Sequence, residues 1–283
     1  MTEHLQTVME HIQAADAIVV GASNGLSISE GIHIFAENED FARHFGEFRA
    51  QHGFRCIIQG CFHPCPSEAQ KWAFFSRMHQ YFLRDKAPSR VMQDLHDLVK
   101  DKNHFVLTSN IDAHFHLAGF DPSRLFEIEG NCRNMQCAVA CHDRLYPGDD
   151  VLSELAQSVQ DGKIPEELLP KCPECGGPLK VHIEVDRMFL KGSEWQERRR
   201  RFTDFLGDAS GKKIVFLELG VGARNQLIKA PLMRIAASEP NARYICFNRG
   251  SEVYIPREIE SKAIGVDGDI AQALRQLAAM LPA

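Results

Sequence analysis

The chain has 283 residues, 44% of them hydrophobic, which is enough for one large domain or for one domain that carries a smaller module. Its 32 basic and 38 acidic residues give a net charge of -6, which argues against the dense positive surface that nucleic-acid binding requires. The N-terminus has neither the basic start nor the apolar run of a secretory signal, and no apolar stretch of about 18 residues follows, so we expect a cytoplasmic protein without a membrane segment.

The chain begins with a pattern typical of a helix followed by a buried strand. Apolar residues recur at helical spacing between positions 5 and 12, and the apolar run 17–20 then ends in a Gly/Ser/Asn segment. An amphipathic pattern over 270–281, with Asp269 placed to cap it, predicts a C-terminal helix. Further short apolar runs, each followed by a polar or glycine-bearing turn, occur at 105–107, 125–128, 214–219, 244–247 and 263–266.

Buried strands that alternate with helices predict an α/β fold with a Rossmann-like, doubly wound parallel sheet. In such a sheet the ligand crevice lies at the carboxyl ends of the strands. Two segments interrupt the alternation, and we expect them to form a smaller lobe. The predicted division is a Rossmann-like domain of residues 1–29, 85–131 and 180–283, a helical insertion of residues 30–84, and a cysteine-bearing module of residues 132–179.

The nine cysteines are an odd number, and in a reducing compartment paired cysteines favour metal binding over disulfides. Cys172 and Cys175 form a CxxC knuckle next to two glycines, a turn that directs two thiolates at one ion. Cys137 and Cys141 are the preferred second pair, with Cys132 as a competitor; the alternative is that all are small buried hydrophobes. We expect a closed, four-thiolate structural zinc site that stabilises its module and has no position for catalytic water.

Two other clusters have residue types that could bind ligands. Cys56, Cys61, His63 and Cys65 include metal-binding types, but their spacing is poor for a metal site. The basic run 198–201 lies in a polar stretch and is interpreted as a solvated helix face without a functional role.

Two loops that follow predicted strands carry residues suited to nucleotide binding. The segment 21–27 (GASNGLS) has small residues that let backbone amides approach a pyrophosphate, although it is not a GxGxxG motif and could be a simple turn. The segment 108–112 (TSNID) supplies an amide and a carboxylate that could bind a ribose or a carboxamide, or could cap a helix.

The order of these motifs along the chain resembles that of the sirtuin family. GASNGLSISEGI, TSNIDAHFHLAG, FEIEGN, the paired cysteines, LGVG and CFNRG occur in the family's order between Ala17 and Leu281, and TSNID and the cysteine pairs are the most specific. The resemblance implies NAD as co-substrate, bound between the Rossmann-like domain and the zinc lobe, with the family's cofactor loop in the insertion 30–84.

Matched position by position, the resemblance implies a set of nucleotide contacts. Asn110 and Asp112 would hold the nicotinamide end and act in catalysis. The remaining implied contacts are Gly21, Ala22, Ser23 and Leu26 around the phosphates and ribose, Ser109 in the TSNID segment, Gly220 and Val221 at the adenosine half, and Asn248, Asp269 and Ile270 around the adenine and its ribose.

This sequence departs from the sirtuin pattern at three places. The segment 31–35 lacks the family's arginine, and the histidine expected near the end of TSNID is displaced to His114 and His116. Glu129 stands where deacylating members carry their general-base histidine. A glutamate with its ordinary pKa is a weaker base than histidine unless burial raises that pKa, but its ionised form can stabilise positive charge on a ribose. The substitution therefore favours ADP-ribosyl transfer, with Glu129 as charge stabiliser or acceptor base.

A second likeness supports this interpretation. Segments 71–77 (KWAFFSR) and 220–225 (GVGARN) resemble the macrodomain-linked sirtuin branch, whose members also lack the histidine, although KWAFFSR is equally typical of an amphipathic core helix. The branch implies ADP-ribosylation of a lipoylated carrier protein of the glycine-cleavage type and a macrodomain protein as partner. NAD-dependent lysine deacylation, a non-catalytic NAD or ADP-ribose sensor, and plain NAD hydrolysis remain the alternatives.

Overall fold

The computed structural model describes residues 2–83 and 87–282, so the predicted boundary between 84 and 85 and both chain ends lie outside the described residues. None of the helices in this part of the chain is long and apolar enough to span a membrane. The helices are α1 (Thr2–Ala14), α2 (Asn24–Ser29), α3 (Glu39–His52), α4 (Ile57–Phe62), α5 (Glu68–Leu83), α6 (Arg90–Val99), α7 (His114–Leu117), α8 (Asp149–Gln157), α9 (Ser193–Ala209), α10 (Lys229–Ser238) and α11 (Ile270–Ala278). The strands are β1 (Ala17–Ala22), β2 (His104–Thr108), β3 (Leu125–Glu127), β4 (Gly130–Cys137), β5 (Tyr146–Pro147), β6 (Leu179–Ile183), β7 (Ile214–Leu219), β8 (Arg243–Asn248) and β9 (Ala263–Asp267).

Six parallel strands form the main sheet in the order β3-β2-β1-β7-β8-β9. Numbered within this sheet alone, the order is 3-2-1-4-5-6, that of a Rossmann fold. The predicted α/β fold class is therefore confirmed. The order in which successive strands are added reverses between β1 and β7, and the crevice of such a fold opens at this point, beyond the carboxyl ends of the two parallel strands.

Helices cover both faces of the sheet. Ile18 and Val20 of β1 belong to one hydrophobic cluster with residues of α1, α6 and α11. The alternate residue Val19 belongs to a second cluster with residues of α9 and α10. Because both faces are buried, the strands read in the sequence as continuous apolar runs instead of an alternating pattern.

A smaller antiparallel sheet, in the order β5-β4-β6, lies outside the main sheet. A third hydrophobic cluster joins this sheet to the helices of the 30–84 segment, for it contains Phe45 and Phe74 as well as Leu152 and Val181. Trp72 and the phenylalanines of α5 are buried, as expected for a core helix. The two segments that interrupt the Rossmann pattern thus share one core.

The C-terminal helix agrees with the sequence at its start and is shorter than predicted at its end. The side chain of Asp269 accepts a hydrogen bond from the backbone N–H of Gln272 and so caps α11. The helix ends at Ala278, and residues 279–280 form a turn, although the apolar pattern continues to 281.

Candidate active site

Two glycines bring the loops after β1 and β7 into backbone contact at the switch point of the sheet. The N–H of Gly25 donates to the carbonyl of Gly220 at 2.9 Å. A Cβ on Gly25 would lie 2.4 Å from the Cα of Gly220, and Gly220 has a φ of +63°, which favours glycine. The carboxyl ends of β1 and β7 are thereby held together where a Rossmann fold binds its ligand.

Asn110, in the loop after β2, has a hydrogen-bonded amide nitrogen and an amide oxygen without a hydrogen-bond partner. Its Nδ2 donates to the carbonyl of Ser23 at 3.2 Å, and Ser109 Oγ donates to Ser23 Oγ at 3.0 Å. Its Oδ1 is buried and accepts no hydrogen bond. A buried acceptor without a donor costs roughly 1–3 kcal/mol. This oxygen is therefore suited to a donor on a bound ligand, such as a carboxamide N–H or a ribose hydroxyl.

Asp112 is buried and uses both carboxylate oxygens. Its Oδ2 accepts from Ser27 Oγ at 2.5 Å, which ties the loop after β2 to α2. Its Oδ1 accepts from the backbone N–H of His114 at 3.0 Å. The N-cap position of α7 is held by Ala113, but Asp112 Oδ1 still accepts from the first N–H of that helix. The carboxylate lies two residues after Asn110 in the chain.

The first of the displaced histidines, His114, is held as a cation. Its Nδ1 lies 2.9 Å from a carboxylate oxygen of Glu30, and its Nε2 lies 3.1 Å from the carbonyl of Phe82. Both partners accept only, so both ring nitrogens carry protons. Burial alone would lower the pKa of His114, but the carboxylates of Asp112 and Glu30 outweigh it and raise the pKa to about 9. His114 cannot serve as a base near neutral pH.

Glu129 lies between β3 and β4 at a turn that requires glycine. Gly130 has a φ of +75°, and a Cβ there would come within 2.0 Å of the carbonyl of His182. Burial and the nearby carboxylate of Glu184 raise the pKa of Glu129 to about 7, against a smaller opposing effect of Lys191. This pKa is close to that of a free histidine. Glu129 is therefore nearly as strong a base as a free histidine, in contrast to a glutamate with its ordinary pKa.

Glu127, a buried carboxylate two residues before Glu129, binds three side chains from different parts of the chain. Glu127 accepts hydrogen bonds from Asn131 Nδ2 at 2.5 Å and His116 Nε2 at 3.1 Å, and it forms an ion pair with Arg198 at 3.3 Å. The interpretation of 198–201 as a solvated face without a role is wrong for Arg198, whose side chain is only 21% exposed. The available signal was an acidic residue at the end of an apolar strand, but its partners could not be read from the sequence.

Several residues implied as nucleotide contacts are packed in the core. Leu26 and Ile270 belong to one cluster, and Val221 to the other. Gly21 faces the side chains of Leu232 and Ile228. Ala22 is fully buried as well, so a nucleotide could meet these residues only through their backbone.

Asn248 connects the loops at the adenosine end of the predicted crevice. Its Nδ2 donates to the carbonyl of Val221 at 2.9 Å, and its own carbonyl accepts from Gly268. Asp269 pairs with Arg249 at 2.5 Å in addition to capping α11. The predicted residues of β1, β2, β7, β8 and β9 thus all lie along the carboxyl edge of the sheet.

The four cysteines predicted as zinc ligands lie together. The Sγ atoms of Cys137 and Cys175 are 3.7 Å apart, as are those of Cys141 and Cys172, and all four Sγ atoms lie within 4.8 Å of one another. A tetrahedron with Zn–S bonds of about 2.3 Å has edges of about 3.8 Å. The cluster therefore fits a structural zinc ion, which the cysteines would hold without an open coordination position.

The competing cysteine groups do not form metal clusters in the described part of the chain. Cys132 is fully buried outside the four-thiolate cluster, and Cys56, Cys61, His63 and Cys65 do not converge. His142 was not singled out from the sequence, and its Nδ1 lies 3.0 Å from Cys141 Sγ while its Nε2 contacts the hydroxyl of Tyr146 at 2.8 Å. Such a contact can orient a metal-bound thiolate.

Comparison with known proteins gives a consistent result. A family model described as the Sir2 family matches residues 21–189. A protein ADP-ribosyltransferase of Staphylococcus aureus is 30% identical over 272 residues, covering 95% of this chain and 85% of the relative. A probable bifunctional ADP-ribose hydrolase/ADP-ribosyltransferase of Fusarium oxysporum f. sp. cubense is 25% identical over 291 residues, but the 95% of this chain that aligns spans only 47% of that protein. The crystal structure of a Sir2 homologue in complex with NAD has the same fold, with a TM-score of 0.66 at 18% identity over 97% of this chain and 92% of that one.

Proposed function

The chain belongs to the Sir2 family of sirtuins, and from this we infer that it is an NAD-dependent protein ADP-ribosyltransferase that releases nicotinamide. The observation that carries the proposal is the buried, unpartnered Oδ1 of Asn110 at the carboxyl edge of the sheet, two residues before a carboxylate fixed by Ser27. The similarity to a protein ADP-ribosyltransferase over nearly the whole chain supports the same reaction type.

When bound, NAD would supply the ADP-ribosyl group and the nicotinamide leaving group. Asn110 Oδ1 would accept a hydrogen bond from the nicotinamide end and orient it, and Asp112 would hold the loop in place through Ser27 and the N–H of His114. The ionised fraction of Glu129 would stabilise the positive charge that builds on the ribose as the glycosidic bond weakens. Its carboxylate could then take the proton of the attacking acceptor.

The pKa of Glu129 supports one alternative reaction. A carboxyl group that titrates near pH 7 is as competent a base as the histidine of deacylating sirtuins, so lysine deacylation remains the second candidate. The two reactions differ in their products. Transfer leaves ADP-ribose on a protein, whereas deacylation releases O-acyl-ADP-ribose.

A finer proposal concerns the acceptor. The likeness of segments 71–77 and 220–225 to the macrodomain-linked branch supports a lipoylated carrier protein of the glycine-cleavage type as the acceptor, and a macrodomain protein as a partner. The Fusarium relative, whose description joins ADP-ribose hydrolase with ADP-ribosyltransferase, supports a partner that acts on ADP-ribose.

The test is product analysis with NAD labelled in its adenylate moiety, using a lipoylated carrier and an acylated peptide as separate substrates. We expect the label on the carrier, with nicotinamide released in equal amount. Asn110→Ala should lower nicotinamide release about 100-fold or more, the usual effect of removing one oriented polar group from a reaction centre. Asn241→Ala is the matched control, because this exposed amide bonds Gly211 away from the carboxyl edge.

Three other outcomes would contradict the proposal. Labelled O-acyl-ADP-ribose with no labelled protein would identify a deacylase. Free ADP-ribose alone would identify an NAD hydrolase. NAD binding without nicotinamide release, in the presence of either substrate, would identify a sensor.

A further inference from the structure

The segment after β6 and the first turn of α9 hold the backbone on both sides of Glu129. The N–H of Glu184 donates to the carbonyl of Glu129 at 2.9 Å, and the indole N–H of Trp195 donates to the carbonyl of Ile128 at 3.0 Å. Gly130 pairs with Ile183 in the antiparallel ladder, so Glu129 and Glu184 lie opposite each other. The same segment therefore carries the side chains that neighbour this carboxyl group.

One of these side chains is a lysine whose ammonium group is held in place. Lys191 Nζ lies 2.8 Å from Glu184 Oε1 and 5.6 Å from the ring centroids of both Phe189 and Trp195. A carboxylate and two aromatic faces together restrain a group that would otherwise sample many positions. Although the lysine side chain is 45% exposed, its ammonium group is held against Glu184, the residue that lies opposite Glu129.

The charges that face Glu129 can be separated by element. From the segment after β6, the Glu184 carboxylate raises the pKa of Glu129 and the Lys191 ammonium lowers it. From α9, Arg198 is occupied by Glu127 and Glu194. From α7, His116 is also bound to Glu127. Burial is the largest influence on the pKa of Glu129, and Glu184 and Lys191 are the charged groups that adjust it in opposite directions.

We propose that Glu184 and Lys191 are positioning residues for Glu129, and that this ion pair sets the fraction of the Glu129 carboxyl group that is ionised and thereby the pH range of the reaction. The inference rests on the proposed function, because it takes Glu129 as the group that responds to the reaction centre. Neither residue needs to touch the substrate. Their effect passes through the charge of Glu129.

The experiment is the pH profile of nicotinamide release between about pH 5 and 9, measured for the wild type and for single variants. Lys191→Met removes the cation and should move the midpoint of the acidic limb upward by about 0.5–1 pH unit, a small shift because the pair is partly exposed. Glu184→Gln removes the repelling carboxylate and should move the midpoint downward. Glu129→Gln should remove this limb altogether.

Two controls separate a charge effect from a structural one. Lys191→Arg keeps the cation and should leave the midpoint within about 0.3 pH unit of the wild type. Lys212→Met removes an exposed lysine of the turn between α9 and β7 and should leave the profile unchanged. Opposite shifts for Lys191→Met and Glu184→Gln would support the inference, since general loosening of the fold would not move the two midpoints in opposite directions.

Failure of the inference and failure of the proposed function give different results. Unchanged midpoints for Lys191→Met and Glu184→Gln, with the limb lost in Glu129→Gln, would overturn the inference alone. A limb that persists in Glu129→Gln would also overturn it. If the wild type binds NAD but releases no nicotinamide at any pH, the proposed function fails. The inference is then decided by carbon NMR titration of the Glu129 carboxyl in protein labelled at glutamate Cδ, where the same opposite shifts support it and their absence overturns it.

Discussion

Burial and neighbouring charges together set the protonation states of His114 and Glu129. His114 lies between acceptors on both ring nitrogens and carries a positive charge, whereas the burial of Glu129 keeps a large fraction of its carboxyl group neutral near pH 7. Glu129, which replaces the family's histidine, therefore has a pKa close to that of a histidine. His114, the histidine nearest to Asn110 in the chain, has a pKa well above that range. At this site the surroundings decide the chemistry more than the residue type does.

The charge on His114 predicts a pH-dependent stability. Because its pKa is raised from 6.5 to about 9 in the folded chain, its stabilisation is fully present below pH 6.5 and is lost as the pH rises through 9. Between pH 7 and 10, the free energy of unfolding of the wild type should fall by roughly 2–3 kcal/mol more than that of His114→Gln. Urea denaturation across this range measures the difference.

A matched substitution is available on α1. His4→Gln replaces an exposed histidine and should reproduce the wild-type slope. Parallel curves for the wild type and His114→Gln would show that the imidazole is neutral in the folded chain.

For single residues, the sequence indicated which side chains belong to the candidate site but not which side chains they bind. Asn110 and Asp112 could be singled out because they lie together in a specific motif. The pairing of His114 with Glu30, 84 residues away, could not, because it depends on how α2 and α7 pack. Glu127 with Arg198, 71 residues apart, is a second example.

At the scale of elements, the β4–β6 ladder connects the zinc cluster with the candidate reaction centre. β4 begins at Gly130, next to Glu129, and ends at the zinc ligand Cys137, while β6 ends at Ile183, next to Glu184. Gly130 pairs with Ile183 at one end and Cys137 pairs with Leu179 at the other. We propose residues 132–179 as the zinc-binding module. We expect loss of the metal to loosen β4 and β6 and so to disturb the position of Glu129.

Removal of one thiolate tests this connection. Cys175→Ala should reduce bound zinc from about one equivalent to less than roughly 0.1, because three ligands cannot close a structural site. It should also lower the melting temperature, increase hydrogen exchange in β4 and β6, and reduce nicotinamide release. Elemental analysis and hydrogen-exchange mass spectrometry measure the first and third effects.

Cys65→Ser is the control, since Cys65 lies outside the four-thiolate cluster and should retain full zinc. Zinc retained by Cys175→Ala would contradict the assigned ligand set. Zinc lost without any change in β4 or β6 would contradict the connection to the reaction centre.

The strands of the main sheet could be predicted and those of the smaller sheet could not. Each strand of the main sheet is a short apolar run because both its faces are covered. β4 reads GNCRNMQC, is largely polar, and has a register shift between Gly130 and Met135, so it shows neither an apolar run nor a regular alternation. Its position was recognisable only from the cysteines at its end.

At the scale of the whole molecule, the parallel order with its reversal between β1 and β7 determines where a nucleotide can bind. Alternation of strands and helices was sufficient to predict this architecture. The sequence predicted that the two interrupting segments form a smaller lobe, and they do share one core. The particular contacts that build this core, such as those of α5 with α8, could not be predicted because they join helices far apart in the chain.

The most direct test of the account is a crystal structure of the protein soaked or grown with NAD or ADP-ribose. The account predicts a nucleotide along the carboxyl ends of β1, β2 and β7, with the nicotinamide-proximal ribose within contact of Asn110, Asp112 and Glu129 and a donor on Asn110 Oδ1. A nucleotide bound elsewhere, or a carboxyl edge that stays empty at saturating nucleotide with Asn110 Oδ1 still unpartnered, would contradict it.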